Sequence, residues 1–107
     1  MQNLYVYPDE PKKLFISQPM AGKTDVEIKH EREKIVKEVT KRFGEVTVID
    51  TFIESAPPCV NSLWYLGKSI EFLSKADYAY FAKGWKNYRG CRIEHECAVQ
   101  YGIKIIE

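Results

Sequence analysis

The sequence predicts an α/β fold in which four short strands alternate with three helices. Three observations carry that expectation. Short β-branched and aromatic runs are separated by longer segments whose apolar residues recur at helical spacing. Capping residues mark helix ends. Strictly alternating strands and helices imply parallel pairing with right-handed crossovers.

Leu14-Phe15-Ile16-Ser17 reads as the first buried strand, and Gln18 to Lys23 breaks it with Pro19 and Gly22. Thr24-Asp25-Val26-Glu27 fits a capping box and opens the first helix. Ile28, Ile35, Val36, Val39 and Phe43 form its apolar stripe, and Gly44 stops it. Val46 to Ile49 is the second strand, ending at Asp50. Thr51 to Ser62, with Pro57-Pro58, is a loop, and Leu63 to Lys75 is the second helix on Leu63, Leu66, Ile70 and Leu73. Tyr78 to Phe81 is the third strand, and Lys83 to Gly90 is a loop. Ile93, Cys97, Ala98 and Tyr101 mark the third helix, Gly102 ends it, and Ile103 to Ile106 is the last strand. Before them, Leu4-Tyr5-Val6-Tyr7 alternates and meets Pro8 and Pro11, so an extra N-terminal edge strand or an extended lead-in is expected.

The simplest solution is a three-layer Rossmann-like, flavodoxin-like sandwich with strand order 2-1-3-4. Ligands bind such sheets beyond the carboxyl ends of the strands, where the order switches. The Ser17–Lys23 and Lys83–Gly90 loops are therefore expected to face each other across a crevice.

Composition narrows the class. The chain has 107 residues, 45% hydrophobic, which suits one domain over 1–107 with a packed core. Lys+Arg number 16 against 15 Asp+Glu, a net charge of +1, so no broad basic field for nucleic acid or anionic membrane exists. No apolar run is long enough to span a bilayer, and the N-terminus lacks a signal-peptide core. The three cysteines, Cys59, Cys91 and Cys97, form no CxxC and leave one unpaired in any disulfide scheme. A reducing cytoplasm is expected, with no metal site and no cofactor.

Glu94 is the most informative residue. It shares a helical stripe with Gly90, Ile93, Cys97, Ala98 and Tyr101, where a carboxylate is costly without partners. At the predicted crevice mouth, the helix dipole favours the anion and burial opposes it. A desolvated, ionised carboxylate suits a nucleophile or a stabiliser of an oxocarbenium-like centre. The plain alternative is a helix-start Glu that tracks the dipole.

His30, His95 and Glu96 are expected on solvated faces; His95-Glu96 lacks the second histidine of H-E-x-x-H. Gly22-Lys23-Thr24 is half a P-loop with Ser17 where the first glycine belongs, which excludes a nucleoside triphosphatase. Lys23 and the helix-start amides remain candidates for a phosphate or carboxylate, or Gly22 and Thr24 simply turn and cap. Arg32 interrupts the apolar stripe and is expected to pair with Asp50 or Glu54. Trp85, Tyr88 and Phe81, with Asn87 and Arg89 between them, suit a nucleobase or a dimer contact.

Several blocks resemble nucleoside 2-deoxyribosyltransferases. Leu14 to Met20 is similar to their first strand and turn, roughly I-Y-L-A-G-P. Ala76 to Phe81 resembles their A-D-V-V-V-A strand, and Gly90 to Ile106 their G-T-x-x-E-x-G-x-A-x-x-x-G-K-P-V-I. The resemblance runs from about Leu14 to Ile106 and is most specific in the last block. It is strongest toward a small, uncharacterised, phage- and prophage-associated branch with S-x-P-M-x-G and R-G-x-x-x-E-H-E signatures. It implies a Rossmann-like sheet, a homodimer or higher homo-oligomer, and cleavage or transfer at an N-glycosidic bond. Glu94 falls on the family's nucleophilic glutamate.

Three positions depart from the family. The orienting tyrosine is Phe15, the leaving-group acid is Ser69, and the aspartate before G-T is Tyr88. Loss of a general acid costs about 10²–10⁴-fold in rate. Asp50, Glu54 and His95 are the candidates to replace it.

The expectation is thus a nucleoside- or nucleotide-recognising protein with Glu94 as nucleophile. The alternatives are a non-catalytic binder of a nucleotide-derived small molecule and an oligomeric interaction module. Phe15, Ser17, Gln18, Met20 and Lys23 are expected to bind the ligand from the first strand and its loop. Asp50, Asp77, Trp85, Asn87 and Arg89 complete the expected set. Nucleic acid and membrane are not expected partners.

Overall fold

The computed structural model describes residues 11–51, 53 and 55–107. The Leu4–Tyr7 segment and Glu54 lie outside the described residues. The elements run β1 (Lys12–Ser17), α1 (Asp25–Phe43), β2 (Val46–Val48), α2 (Ser62–Leu73), β3 (Tyr78–Phe81), a single 3-10 turn (Trp85–Asn87), α3 (Arg89–Gln100) and β4 (Lys104–Ile106).

All pairings are parallel, and the order is β2-β1-β3-β4, as the alternation predicts. β1 is central. Leu14 aligns with both Val48 and Tyr78, and Ser17 aligns with Phe81. Alternation along β1 then divides the core. Leu14 and Ile16 pack with Ile35 and Val39 of α1, while Phe15 packs with Leu73 of α2 and Ala98 of α3. One helix therefore covers one face, and two cover the other. Ser17 follows Phe15 onto the two-helix face.

Local chemistry fixes the ends. The Glu27 amide donates to Thr24 Oγ1 at 3.1 Å, and the Thr24 amide donates to Glu27 Oε1 at 2.8 Å. The capping box is complete. The Lys23 amide donates to the Met20 carbonyl at 3.1 Å, closing a turn in which Gly22 takes φ 78°. A side chain there would be strained, so glycine suits the position. Asn61 caps α2 through the Trp64 amide, at 3.1 Å.

Three details differ from expectation. α2 ends at Leu73, because Lys75 and Ala76 donate to Phe72 and Leu73 in tight turns after the Ser74 cap. α3 begins at Arg89, inside the expected loop. Its buried face is Cys91, Glu94 and Ala98, whereas Ile93 and Tyr101 are exposed. The stripe is rotated because the helix packs through its i, i+3, i+7 row against β3 and β4.

Two substitutions test this packing. Leu14→Ala removes a fully buried side chain from the central strand and is expected to cost about 2–5 kcal/mol in urea unfolding. Thr24→Ala removes the cap alone and is expected to cost about 1 kcal/mol.

Candidate active site

β1 and α3 deliver one carboxylate and one hydroxyl to the same point. Glu94 is 8% exposed, and Ser17 Oγ donates to its Oε1 at 2.6 Å. Burial pushes the Glu94 pKa above its ordinary 4.5, and hydrogen bonds with Ser17 and Ser69 pull it back. Because α3 starts at Arg89, Glu94 sits in the second turn and not the first. The dipole fades over the first turn, so the two serines matter more than the helix start.

These groups line a pocket of about 330 Å³. Its floor is Phe15, Ser17, Cys91 and Glu94, and its walls come from Gln18–Met20, Thr51, Ser69, Tyr88 and Gly90. It opens at the carboxyl ends of β1 and β3, the switch point that the topology rule indicates. Cys91 brings a thiol to the same pocket. Burial raises its pKa above the ordinary 9.0, a hydrogen bond with Ser17 opposes this, and the Glu94 charge adds to the rise.

A second chamber of about 440 Å³ adjoins through Met20 and Thr51, and it is lined further by Arg32, Asp50, Ile53 and Tyr65. Burial lowers the Arg32 pKa, and the charge of Asp50 opposes that shift. Asp50 and Arg32 are thus neighbours, as the interrupted stripe suggests. On the other side, Gly90 is shared with an outer groove of Leu63, Leu66, Ile93 and Arg89.

The structure gathers Phe15, Ser17, Gln18, Met20 and Glu94 around one pocket and places Asp50 beside it. The rest of the expected ligand set lies elsewhere. Asp77 is at the opposite end of the sheet, where the Lys13 amide donates to its Oδ2 at 2.8 Å. It closes the start of β3 and does not reach the crevice. Trp85 and Asn87 line a separate pocket with Lys83, Lys86 and Glu107. The 3-10 turn carries them away, so only Tyr88 and Gly90 of that loop face Glu94. Arg89 lines the outer groove.

Lys23 is engaged as well. Its Nζ lies 3.2 Å from Glu31 Oε1, and Gln18 Nε2 donates to the same oxygen at 2.7 Å. Gln18 also donates to the Ile28 carbonyl at 3.0 Å and accepts from Arg32 at 3.4 Å. Its side chain ties the loop to α1, with Lys23 in the same network and the helix start sealed by its own cap. The phosphate-holding role expected there does not fit these partners.

His95 is half-buried and not solvated. It stacks on Trp85 with ring centroids 4.0 Å apart and planes 12° apart, and its edge meets Phe81 at 4.8 Å. Trp85 Nε1 donates to Glu107 Oε1 at 3.2 Å, and His95 Nε2 lies 3.4 Å from Glu107 Oε2. The sequence marks Trp85 and Phe81 as aromatic neighbours, but nothing in it brings His95 and Glu107 to them. Cys91 was missed too, although its i, i+3 spacing to Glu94 was visible. Among the described residues, no group of three or more potential metal ligands occurs, and no helix is long and apolar enough to cross a membrane.

A family model, the domain of unknown function DUF4406, matches residues 12–107. The chain belongs to that family. No curated protein matches the sequence. In this DUF4406 chain the match takes in every element that builds the Glu94 pocket.

Glu94 has a calculable effect on folding. A carboxyl whose pKa is raised in the folded chain binds its proton more tightly there than when unfolded. Its contribution is favourable below the ordinary 4.5 and is lost as pH rises through the folded value. Glu94→Gln is therefore expected to unfold at higher urea than the wild type near neutral pH. The two midpoints should converge as pH falls below 4.5.

Proposed function

We propose that this chain binds a nucleoside or nucleotide in the Glu94 pocket and cleaves or transfers at its N-glycosidic bond. The observation that carries this is Glu94 itself, a nearly buried carboxylate held by serine hydroxyls at the switch point of a parallel sheet. Burial removes the hydration that blunts a carboxylate, and the hydroxyls favour its ionised form. The likeness of the Gly90–Ile106 block to deoxyribosyltransferases supports the same role.

In the proposed step a Glu94 oxygen bonds to the anomeric carbon while the C–N bond breaks. The electron pair leaves on the base nitrogen, which takes a proton from water. Water or a second base then attacks the glycosyl ester and releases Glu94 as a carboxylate. A second copy of the chain completes the crevice in this reading, because Met20, half exposed, forms its outer lip.

A second reading is favoured by one feature. Glu94 is the only carboxylate among the described residues lining its pocket, and no His, Lys or Arg lines it. Among the described lining residues the other side-chain acids are the Tyr88 phenol and the Cys91 thiol, both weaker than a carboxyl, which fits a non-catalytic binder of a nucleotide-derived molecule.

Deoxynucleosides, their monophosphates and dinucleotides of the NAD type, incubated with wild type and Glu94→Ala, test both readings. Base release by wild type, reduced about a thousandfold or more in Glu94→Ala, is the result expected of a nucleophile. No release above the variant from any compound overturns the enzyme reading. Calorimetric binding with the ligand recovered intact then selects the binder. Light scattering that returns the mass of one chain removes the second copy from the proposal.

A further inference from the structure

A hollow of about 540 Å³ opens past the carboxyl ends of β3 and β4. Of the described residues, none lines both this hollow and the Glu94 pocket. Phe81 and Trp85 form its apolar part, and Lys83, Lys86, Asn87 and Glu107 its polar part.

The Trp85 indole is fixed before any ligand arrives. It lies on His95 with centroids 4.0 Å apart, the Phe81 ring tilts against it at 5.6 Å, and Nε1 donates to Glu107 Oε1 at 3.2 Å. His95 takes one face, so Lys86 Nζ, 5.7 Å from the ring centroid, lies over the other. A planar group placed on that face gains an aromatic partner whose ordering cost is already met.

The charge of the hollow is also unbalanced. Among the described residues, neither Lys83 nor Lys86 forms an ion pair. Glu107 is the one carboxylate among the described lining residues, and its two oxygens face Trp85 Nε1 and His95 Nε2. Between the lysines the chain bends at Gly84, whose φ of 90° suits glycine, so both ammoniums flank a single bend. A phosphate monoester, with a charge of about −1.5 to −2 near pH 7, matches two ammoniums better than a single carboxylate does. The Asn87 amide adds a donor and an acceptor for a base edge.

We propose that this hollow is a second ligand site for a planar organic phosphate of the nucleoside monophosphate class, with the base on the Trp85 face and the phosphate held by Lys83 and Lys86. Lys86 leaves the indole for the phosphate, exchanging a cation–π contact for a charge-assisted hydrogen bond. No bond is made or broken there, and the site stands independently of the chemistry proposed at Glu94.

The test is a ¹H–¹⁵N NMR titration of the whole chain with nucleoside 5′-monophosphates, the parent nucleosides and inorganic phosphate. The monophosphates are expected to shift the Gly84, Lys86 and Asn87 amides and the Trp85 indole N–H saturably. Lys83→Gln and Lys86→Gln, both at exposed positions, should each weaken binding about tenfold. Glu94→Gln should bind as the wild type does and leave the ligand intact. Shifts confined to the Ser17, Cys91 and Glu94 amides overturn the second site and leave the Glu94 reading standing. Shifts at both pockets support both. Loss of the Gly84–Asn87 shifts in Glu94→Gln overturns the inference, and so do equal affinities in the wild type and the two lysine variants. Inorganic phosphate or a nucleoside binding as tightly as the monophosphate overturns it as well. The same holds if no monophosphate gives a saturable shift up to about 10 mM.

Discussion

The parallel pairing of β1 with β3 is the constraint on which this molecule depends. It aligns Ser17 with Phe81 and makes β1 the central strand. From β3 the chain passes through one 3-10 turn into α3, so the first turns of α3 lie over the end of β1. The Ser17–Glu94 bond joins residues 77 apart in sequence and exists because of that adjacency. A one-residue slip in β1 would turn Ser17 toward α1 and take one of the two serine hydroxyls away from the buried Glu94.

Around that bond, polar groups sort into structural and reactive sets by what already satisfies them. Gln18, Glu31, Lys23 and Arg32 satisfy one another between the β1 loop and α1. Charged and amide groups in such a network resist rearrangement, because breaking one bond strands its partner. They hold Pro19 and Met20 at the pocket rim. Glu94 is different, since burial works against its charge and the serine hydroxyls offset only part of that. A group left in that tension is where chemistry is expected.

The layers of the fold were legible in the sequence because periodicity reports burial. The capping box at Thr24, the alternation of elements and the 2-1-3-4 order are all visible in residue patterns alone. Glu94 was legible for the same reason, as a charge on an apolar row. What failed was rotation about an axis. The stripe on α3 was placed one position off because Ile93 and Tyr101 are apolar yet exposed, and hydropathy cannot tell an outward isoleucine from an inward one. The Trp85 loop failed similarly. Aromatic and amide residues in one short segment suggest one binding face, but the 3-10 turn sends Trp85 and Asn87 to one side and Tyr88 to the other. Asp77 was misassigned because a carboxylate beside a strand looks the same at either end of a sheet until its backbone partner is seen.

The stack of His95 on Trp85 has a mechanical meaning. Glu94 and His95 are consecutive, so their side chains leave α3 about 100° apart. One is tied to β1 through Ser17, and the other is clasped by Trp85, Phe81 and Glu107. The helix is pinned on two flanks and has no free roll about its own axis. Turning Glu94 outward to meet a ligand would unstack His95, so a ligand has to come to a carboxylate that keeps its bearing. The same linkage makes the indole of Trp85 a gauge of that bearing from outside the pocket.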